Sequence, residues 1–448
     1  MILIKTYQDF IELRKAGEAS AIQVIINEWK SGKTYKTAVL ADCYDRQEND
    51  TIMNYVKKIF SLSGMEIQDF TASNNKVVSN FFARFNTQRN TYSLGNGVSF
   101  VDDAVKKQFG DELDTTLLDA GYYALIHGVS FPYWNGKCET FFKATEFAPL
   151  WDEETGRLSA GIRFWQLDAD KPLFAVVYEK DGFRKWRKAD GEFEAMDEKQ
   201  AYIQEVQTSE VDGDEVIGAY NYSDLPIVPF WGSRLHQSTL IGMRSKIDSY
   251  DLIRSGFAND LTDVSQIYWI LENYGGMSDK DLARFRDKLK LTHIAEADTS
   301  EGGKVTPYAQ DIPHQARQTY LDGIKKDLYE DFGALDVHSL SADSTNDHIE
   351  AAYQPLDENA DDYESQIIKC VQALGAIIGL EPNECVPLFK RNRISNQAQM
   401  MEMLAQADWL DTETKIRKTP FVTVDEVATI LERQTKEDTE RMSGLFAE

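Results

Sequence analysis

Cysteine is scarce: Cys43, Cys138, Cys370 and Cys385 are the only four in 448 residues, and none forms a CxxC pair. That spacing excludes a zinc ribbon. A chain this long does not rest on a disulfide scaffold, so free thiols in a reducing compartment are expected. Histidine is nearly as rare. His127, His236, His293, His314, His338 and His348 fall into no HxH, HExxH or HxxxH spacing, so no zinc-enzyme ligand set is in view. Long hydrophobic runs are missing too. No window of about 18 apolar residues exists, which leaves nothing to span a bilayer. The opening Met1-Ile-Leu-Ile-Lys-Thr runs into mixed charge and does not read as a signal peptide. Positive charge is the largest deficit. Lys and Arg number 48 against 74 Asp and Glu, a net charge of −26. Such a surface repels phosphate and anionic lipid, which argues against nucleic-acid binding by a broad basic face and against docking on an anionic membrane.

Catalytic signatures are absent as well. No GxSxG elbow and no GxGxxG fingerprint occurs. Ser31-Gly32-Lys33-Thr34 resembles the end of a phosphate-binding loop, but Asn27 stands where the first glycine belongs and the preceding residues read as helix. A helix-ending turn is the better reading. No cofactor is expected.

What the chain does have is pattern. With 42% hydrophobic and 11% aromatic residues it has the composition of a globular protein. The first hundred residues read mostly as amphipathic helices, with 74–100 as a helix broken at Gly95-Asn96-Gly97. From 128 to 232, runs such as VSFPYW, IRFWQL and LFAVVYE alternate with turns, the texture of antiparallel strands. The fold class is therefore α+β. Residues 237–267 are the clearest element. Leu240, Met243, Ile247, Tyr250, Ile253, Phe257, Leu261 and Val264 recur at helical steps. A second helix follows Pro313, with Tyr320, Leu321, Ile324, Leu328, Phe332 and Leu335 on one stripe. The two helices bracket a small unit, 268–313, and are expected to pair as an antiparallel stalk carrying it at the tip. A third long helix is expected from Pro355, with Tyr363, Ile367, Val371, Leu374 and Ile378 on one side. A short strand at 386–389 and helices from Ser395 complete the chain.

Three charge features are candidate sites. Asp357, Glu358, Asp361 and Asp362 form two carboxylate pairs at i,i+4. They suit a metal-dependent hydrolase, or simply complement the dipole of a helix starting at Pro355. From Asp327 to Ile368, twelve acidic residues occur without one Lys or Arg. That stretch is either a solvated acidic face or a surface that must not hold an anion. Lys280, Arg284, Arg286, Lys288 and Lys290 put a basic cluster on a short helix of the 268–313 unit, a docking surface for an acidic partner.

Several local phrases carry a family resemblance by their order and spacing. They are Asn74-Asn-Lys-Val-Val-Ser-Asn, Tyr92-Ser-Leu-Gly-Asn-Gly-Val, Ala120–Gly128 and Pro226-Ile-Val-Pro-Phe. Lys246-Ile-Asp-Ser-Tyr-Asp-Leu-Ile-Arg-Ser-Gly-Phe-Ala-Asn-Asp-Leu is the most telling. Phe389-Lys-Arg-Asn and Thr419-Pro-Phe-Val-Thr-Val-Asp-Glu stand near the end. In this order the chain resembles the portal proteins of tailed double-stranded DNA phages, in the branch typified by the portal of a Bacillus siphophage. One departure is that Asp347-His-Ile-Glu-Ala-Ala-Tyr stands where that branch often has a Gly-Val-Ala-Leu-Lys-like run.

The resemblance implies a non-enzymatic ring, usually of twelve subunits, at one capsid vertex. DNA enters and leaves through its channel without sequence-specific binding. Implied partners are the terminase, a head–tail adaptor, and the major capsid and scaffolding proteins. The implied location is the virion, with assembly in the host cytoplasm, and no membrane. By the same resemblance, 1–236 and 351–394 correspond to a wing with a spine helix, 237–267 and 314–335 to a stem, and 268–313 to a clip. Residues 336–350 correspond to a tunnel loop and 395–448 to a crown. The channel-facing residues implied are Ser339, Ser341, Asp343, Ser344, Thr345, Asn346, Asp347, His348 and Glu350. Stem packing falls to Leu240, Met243, Ile247, Tyr250, Phe257, Leu261, Leu321, Ile324 and Leu328. The competing readings are the carboxylate hydrolase and a monomeric helical adaptor.

Overall fold

The computed structural model describes residues 6–60, 64–69, 73–189, 191–209, 213–263, 268–272, 280, 281, 284, 304–308, 314–340, 345–391, 393, 397–407, 409–419, 427, 429–431 and 433. Three helices open the chain: α1 (Tyr7–Ala16), α2 (Glu18–Ser31) and α3 (Lys33–Asp45). The Thr6 hydroxyl accepts from the Asp9 amide while the Asp9 carboxylate accepts from Thr6, a capping box that fixes where α1 begins. Ser31 ends α2 and Lys33 begins α3, so Ser31-Gly32-Lys33-Thr34 is a joint between helices, as the turn reading expects.

After α4 (Asp50–Met53) a small hairpin pairs β1 (Lys58–Phe60) with β2 (Glu66–Gln68). Helix α5 covers only Phe81–Leu94. The expected helical start at 74 is corrected: residues 73–80 form no helix. After β3 (Val98–Ser99) come α6 (Asp103–Phe109) and α7 (Leu113–His127). The strand-rich region holds β4 (Val129–Tyr133) and β5 (Thr140–Lys143). A meander follows: β6 (Phe147–Trp151), β7 (Leu158–Trp165), β8 (Leu173–Glu179), β9 (Gly182–Ala189) and β10 (Glu192–Ala195). These five form one antiparallel sheet in order β10-β9-β8-β7-β6. A separate ribbon pairs β11 (Ile203–Ser209) with β12 (Gly213–Tyr220), and β13 (Phe230–Trp231) joins β4.

Helix α2 lays Ile22, Ile25, Ile26 and Trp29 on the sheet, and the Trp29 indole donates to the Ala144 carbonyl at 2.8 Å. Its polar tip is thereby satisfied inside the core.

Three long helices follow: α8 (Leu240–Asp263), α9 (His314–Phe332) and α10 (Asn346–Ile377). Between α8 and α9, β14 (Tyr268–Glu272) pairs antiparallel with β15 (Lys304–Tyr308). β16 (Leu388–Phe389), at the expected position, pairs with β3. Helices α11 (Gln397–Gln406) and α12 (Thr412–Lys418) follow. The C-terminal half of α10 buries Ile367, Cys370, Val371 and Leu374 against α7. Its Tyr363 hydroxyl donates to Asn90 at 2.7 Å and lies where a Cβ at Gly121 would collide.

The expected start of α10 at Pro355 is also corrected. The helix begins nine residues earlier, at Asn346, and Pro355 sits inside it. One missing N–H and a ring clash are tolerated because the flanking turns bury Tyr353, Leu356 and Ala360. No described helix is long and apolar enough to cross a membrane.

Candidate functional site

Helices α8 and α9 pack as the antiparallel pair that the two stripes predict. Leu240, Met243 and Ile247 are fully buried, facing Ile324, Leu328, Tyr329 and Phe332, with Phe82 and Phe85 of α5 beneath them. Leu321 is also buried, and Tyr250 is partly so. Phe257 lies under the Arg317 guanidinium at 6.0 Å. Two stripe residues lie outside the seam within one copy. Leu261 is 56% exposed and Tyr320 is 53% exposed, so neither joins the seam. Ion pairs Lys246–Asp331 and Arg317–Asp260 staple the pair near its two ends.

A feature of α8 that periodicity missed is a buried polar row. Asp251, Ser255 and Asn259 stand at i, i+4 and i+8 and are 0%, 2% and 7% exposed. Their partner is the chain segment 73–80. The backbone amides of Ser79, Val77 and Asn75 donate to Asp251, Ser255 and Asn259 at 2.9, 2.9 and 2.6 Å. The spacing matches: four helical residues advance about 6 Å and two extended residues about 6.6 Å. An extended strap therefore lies along α8, each alternate amide taken by one helical turn. The Asn49 amide donates to Asp251 at 2.5 Å and to the Ser79 carbonyl at 3.3 Å. Burial raises the Asp251 carboxyl above its usual range, against the pull of the Asn49 and Ser79 hydrogen bonds. The only hint in the sequence was polar residues at i,i+4 in a helix, which reads equally as a solvated face.

Of the α10 carboxylate pairs, Asp357 and Asp361 are ion-paired with arginines from the segment after β16, whereas Glu358 accepts from Gln354 and Asp362 from the Arg234 backbone amide. Arg391 donates to Glu364 at 2.9 and 2.8 Å and to Asp357 at 3.0 Å, and it also reaches Asp361. Arg393 donates to both oxygens of Asp357 at 2.6 Å and to the Tyr92 hydroxyl at 2.8 Å. The Tyr92 hydroxyl in turn donates to Asp357 at 2.7 Å. Burial pushes the Asp357 carboxyl up, but Tyr92 and the two guanidiniums overcome it and hold it below its usual range. The hydrogen bond to Glu364, foremost, raises Arg391. The dipole reading of these acids does not hold, and the metal-dependent reading gains no ligand set. They lie in the interior of α10, not at its N-terminus, and no group of three or more metal-ligating side chains exists among the described residues.

Near the α9–α10 connection, Arg89 caps α9 by donating to the Phe332 carbonyl at 2.8 Å, its guanidinium 4.2 Å from the Phe332 ring centroid. Burial lowers its pKa to about 10. Val337–Ser339 form a 3₁₀ turn, and the Thr345 hydroxyl caps α10 by accepting from the His348 amide at 3.4 Å. Asn346, Asp347, His348 and Glu350 are helical, which moves them out of the expected loop and into the first turns of α10. Asp347, His348 and Glu350 are exposed. Ser341, Asp343 and Ser344 lie outside the described residues. So do Arg286, Lys288 and Lys290, whereas Lys280 and Arg284 are helical and exposed.

Comparison with known proteins identifies the family. Residues 40–441 match the family described as phage portal protein, SPP1 Gp6-like. The chain is 27% identical over 213 residues to the portal protein of Clostridium phage phiCD119, an alignment covering 45% of this chain and 47% of that relative. It thus spans about half the length of that protein. It is 23% identical over 436 residues to the portal protein of Bacillus phage SPP1, covering 90% of this chain and 84% of the relative. With nine-tenths of its length inside that family's pattern, the chain belongs to the SPP1 Gp6-like phage portal proteins.

Proposed function

We propose that copies of this chain assemble into a ring, of twelve subunits by the family pattern, forming the DNA conduit at one capsid vertex. The conduit serves genome packaging, head–tail joining and ejection, in the virion and, during assembly, in the host cytoplasm. The observation that carries this reading is the family match over residues 40–441. The geometry supports it: α8 and α9 form a stapled stem with the β14–β15 pair at one end, where a clip for terminase or adaptor would stand. A net charge of −26 and the exposed acids Asp347 and Glu350 in the first turns of α10 suit a wall along which phosphate slides without gripping. In this reading 1–236 and 351–394 form the wing and spine, 395–448 the crown, and 336–350 the tunnel segment, now with α10 beginning inside it. Capsid and scaffolding proteins would meet the wing. The role is structural and non-enzymatic. The family match does not favour the hydrolase alternative, and two of the four carboxylates it would use, Asp357 and Asp361, are already paired with Arg391 and Arg393.

Electron microscopy with native mass measurement of the purified 51.0 kDa chain tests the assembly. Closed rings with an axial channel are expected. A monomer at every concentration would overturn the reading and leave the adaptor.

A further inference from the structure

A groove of about 650 Å³ lies between the β6–β7 turn, the segment 223–236 and the last turns of α10. One wall is aromatic. The rings of Trp151 and Trp231 stack at 5.9 Å between centroids, and His236 stacks on Trp231 at 4.0 Å. His236 holds that place at φ 51°, in the left-handed region that a side chain with a Cβ rarely adopts. Aliphatic lining comes from Ile227 and Val228 and, on α10, from Ala376 and Ile377. Among the described lining residues only Arg157, Asp224 and His236 are titratable, so the groove suits an apolar occupant.

The described chain begins beside this groove. The Thr6 hydroxyl donates to Glu153 at 2.6 Å, the Gln8 side chain donates to Asp152 at 2.6 Å, and the Glu153 amide donates back to Gln8 at 3.2 Å. Asp152 and Glu153 sit in the turn that joins two groove-lining residues, Trp151 of β6 and Leu158 of β7. Thr6 is extended, with φ −93° and ψ 174°, so the chain before it does not continue the axis of α1. The residues before it are Met1-Ile-Leu-Ile-Lys, which lie outside the described ones. Five extended residues reach about 17 Å. The turn they must pass joins adjacent strands about 4.8 Å apart, so the groove is within reach. The order of residues also fits. Lys5 falls next to Thr6, at a turn with three acids, Asp152, Glu153 and Glu154, against Arg157, and the four apolar residues fall beyond it.

We propose that residues 1–4 occupy this groove and so tie the β6–β7 turn to the end of α10. The apolar run leaves water for apolar lining, which is the driving force. The tether selects the occupant: a segment joined by a short linker meets a neighbouring site at an effective concentration in the mM range, which favours the chain's own residues over those of another molecule. The inference does not depend on the ring reading.

Disulfide trapping tests it. Ile2→Cys or Ile4→Cys is combined with Ala376→Cys, the chain is oxidised mildly, and the non-reduced digest is mapped by mass. A bond from residue 2 or residue 4 to residue 376 within a single chain is expected. The proposal is overturned if neither position forms that bond, and equally if the bond joins two chains, which would assign the groove to a neighbouring copy. Deleting residues 1–5 tests it without new cysteines. The shortened chain is expected to brighten anilinonaphthalene sulfonate at least about threefold more than the full chain does, and the peptide Met-Ile-Leu-Ile-Lys is expected to reverse the gain. Equal dye fluorescence from the two chains, or a gain that the peptide leaves unchanged, would refute the contact.

Discussion

Asp251 on α8 and Asp357 on α10 are both drawn out of water, and the protein stabilises them in opposite ways. Asp357 has charge partners: two arginines and a tyrosine hydroxyl meet its two oxygens. Asp251 has hydrogen-bond partners that carry no charge, a backbone amide and the Asn49 side chain. The first arrangement keeps the carboxylate ionised and ties α10 to the segment after β16. The second tolerates a raised pKa in return for holding a backbone strap in register. The difference teaches that a buried acid in a helix is not by itself a sign of chemistry, because its partners decide what it does.

The comparison breaks most visibly at Arg391. Arg391→Met leaves Asp357, Asp361 and Glu364 crowded without their shared cation, and about 3 kcal/mol of stability should be lost in urea unfolding. A loss below about 1 kcal/mol would show that the cluster is solvated and the contrast false. At the other site the charge matters less than the acceptor. Asp251→Ala strands the Ser79 amide and the Asn49 side chain and should cost about 2 kcal/mol, whereas Asp251→Asn should cost under about 1 kcal/mol. Equal losses from the two would mean that the negative charge of Asp251 is needed.

Acid sharpens the contrast by sign. The folded Asp357 carboxyl titrates below the ordinary 3.8, so its stabilisation is full above that value and is lost as pH falls through the folded one. Folded Asp251 titrates above 3.8, so the native state holds that proton more tightly, and stability from this site declines as pH rises from 3.8 through the folded value. Between pH 7 and pH 3, the wild-type advantage over Asp357→Asn should shrink and that over Asp251→Asn should grow, read as urea midpoints at each pH. Parallel trends would contradict the assignment.

Much of the architecture was legible in residue spacing. The stripe Leu240–Met243–Ile247 and its partner Leu321–Ile324–Leu328 identify a helix pair, because apolar periodicity reports burial directly. Polar burial leaves no such trace. Asp251, Ser255 and Asn259 look like solvent-facing residues until segment 73–80 lies against them, and that segment's own apolar Val77 and Val78 suggested helix. Pro355 misled for a related reason: proline is favoured at a helix start, and only tertiary packing of Tyr353 and Leu356 reveals that the helix runs through it. The arginines that claim the α10 carboxylates come from about 30 residues away, a pairing that local spacing cannot show.

The two staples of the α8–α9 pair share one register: from Lys246 to Asp260 is 14 residues along α8, and from Asp331 to Arg317 is 14 residues back along α9. The anchors are thus about 21 Å apart on both rods. Sliding one rod by a single residue would stretch both staples in the same sense and together, so neither can yield first while the other guides it. Under axial load the two ion pairs therefore strain together, a small resistance to sliding because both are a third to a half exposed, added to the larger resistance of the buried Leu240–Ile247 seam between them and the Phe82–Phe85 floor.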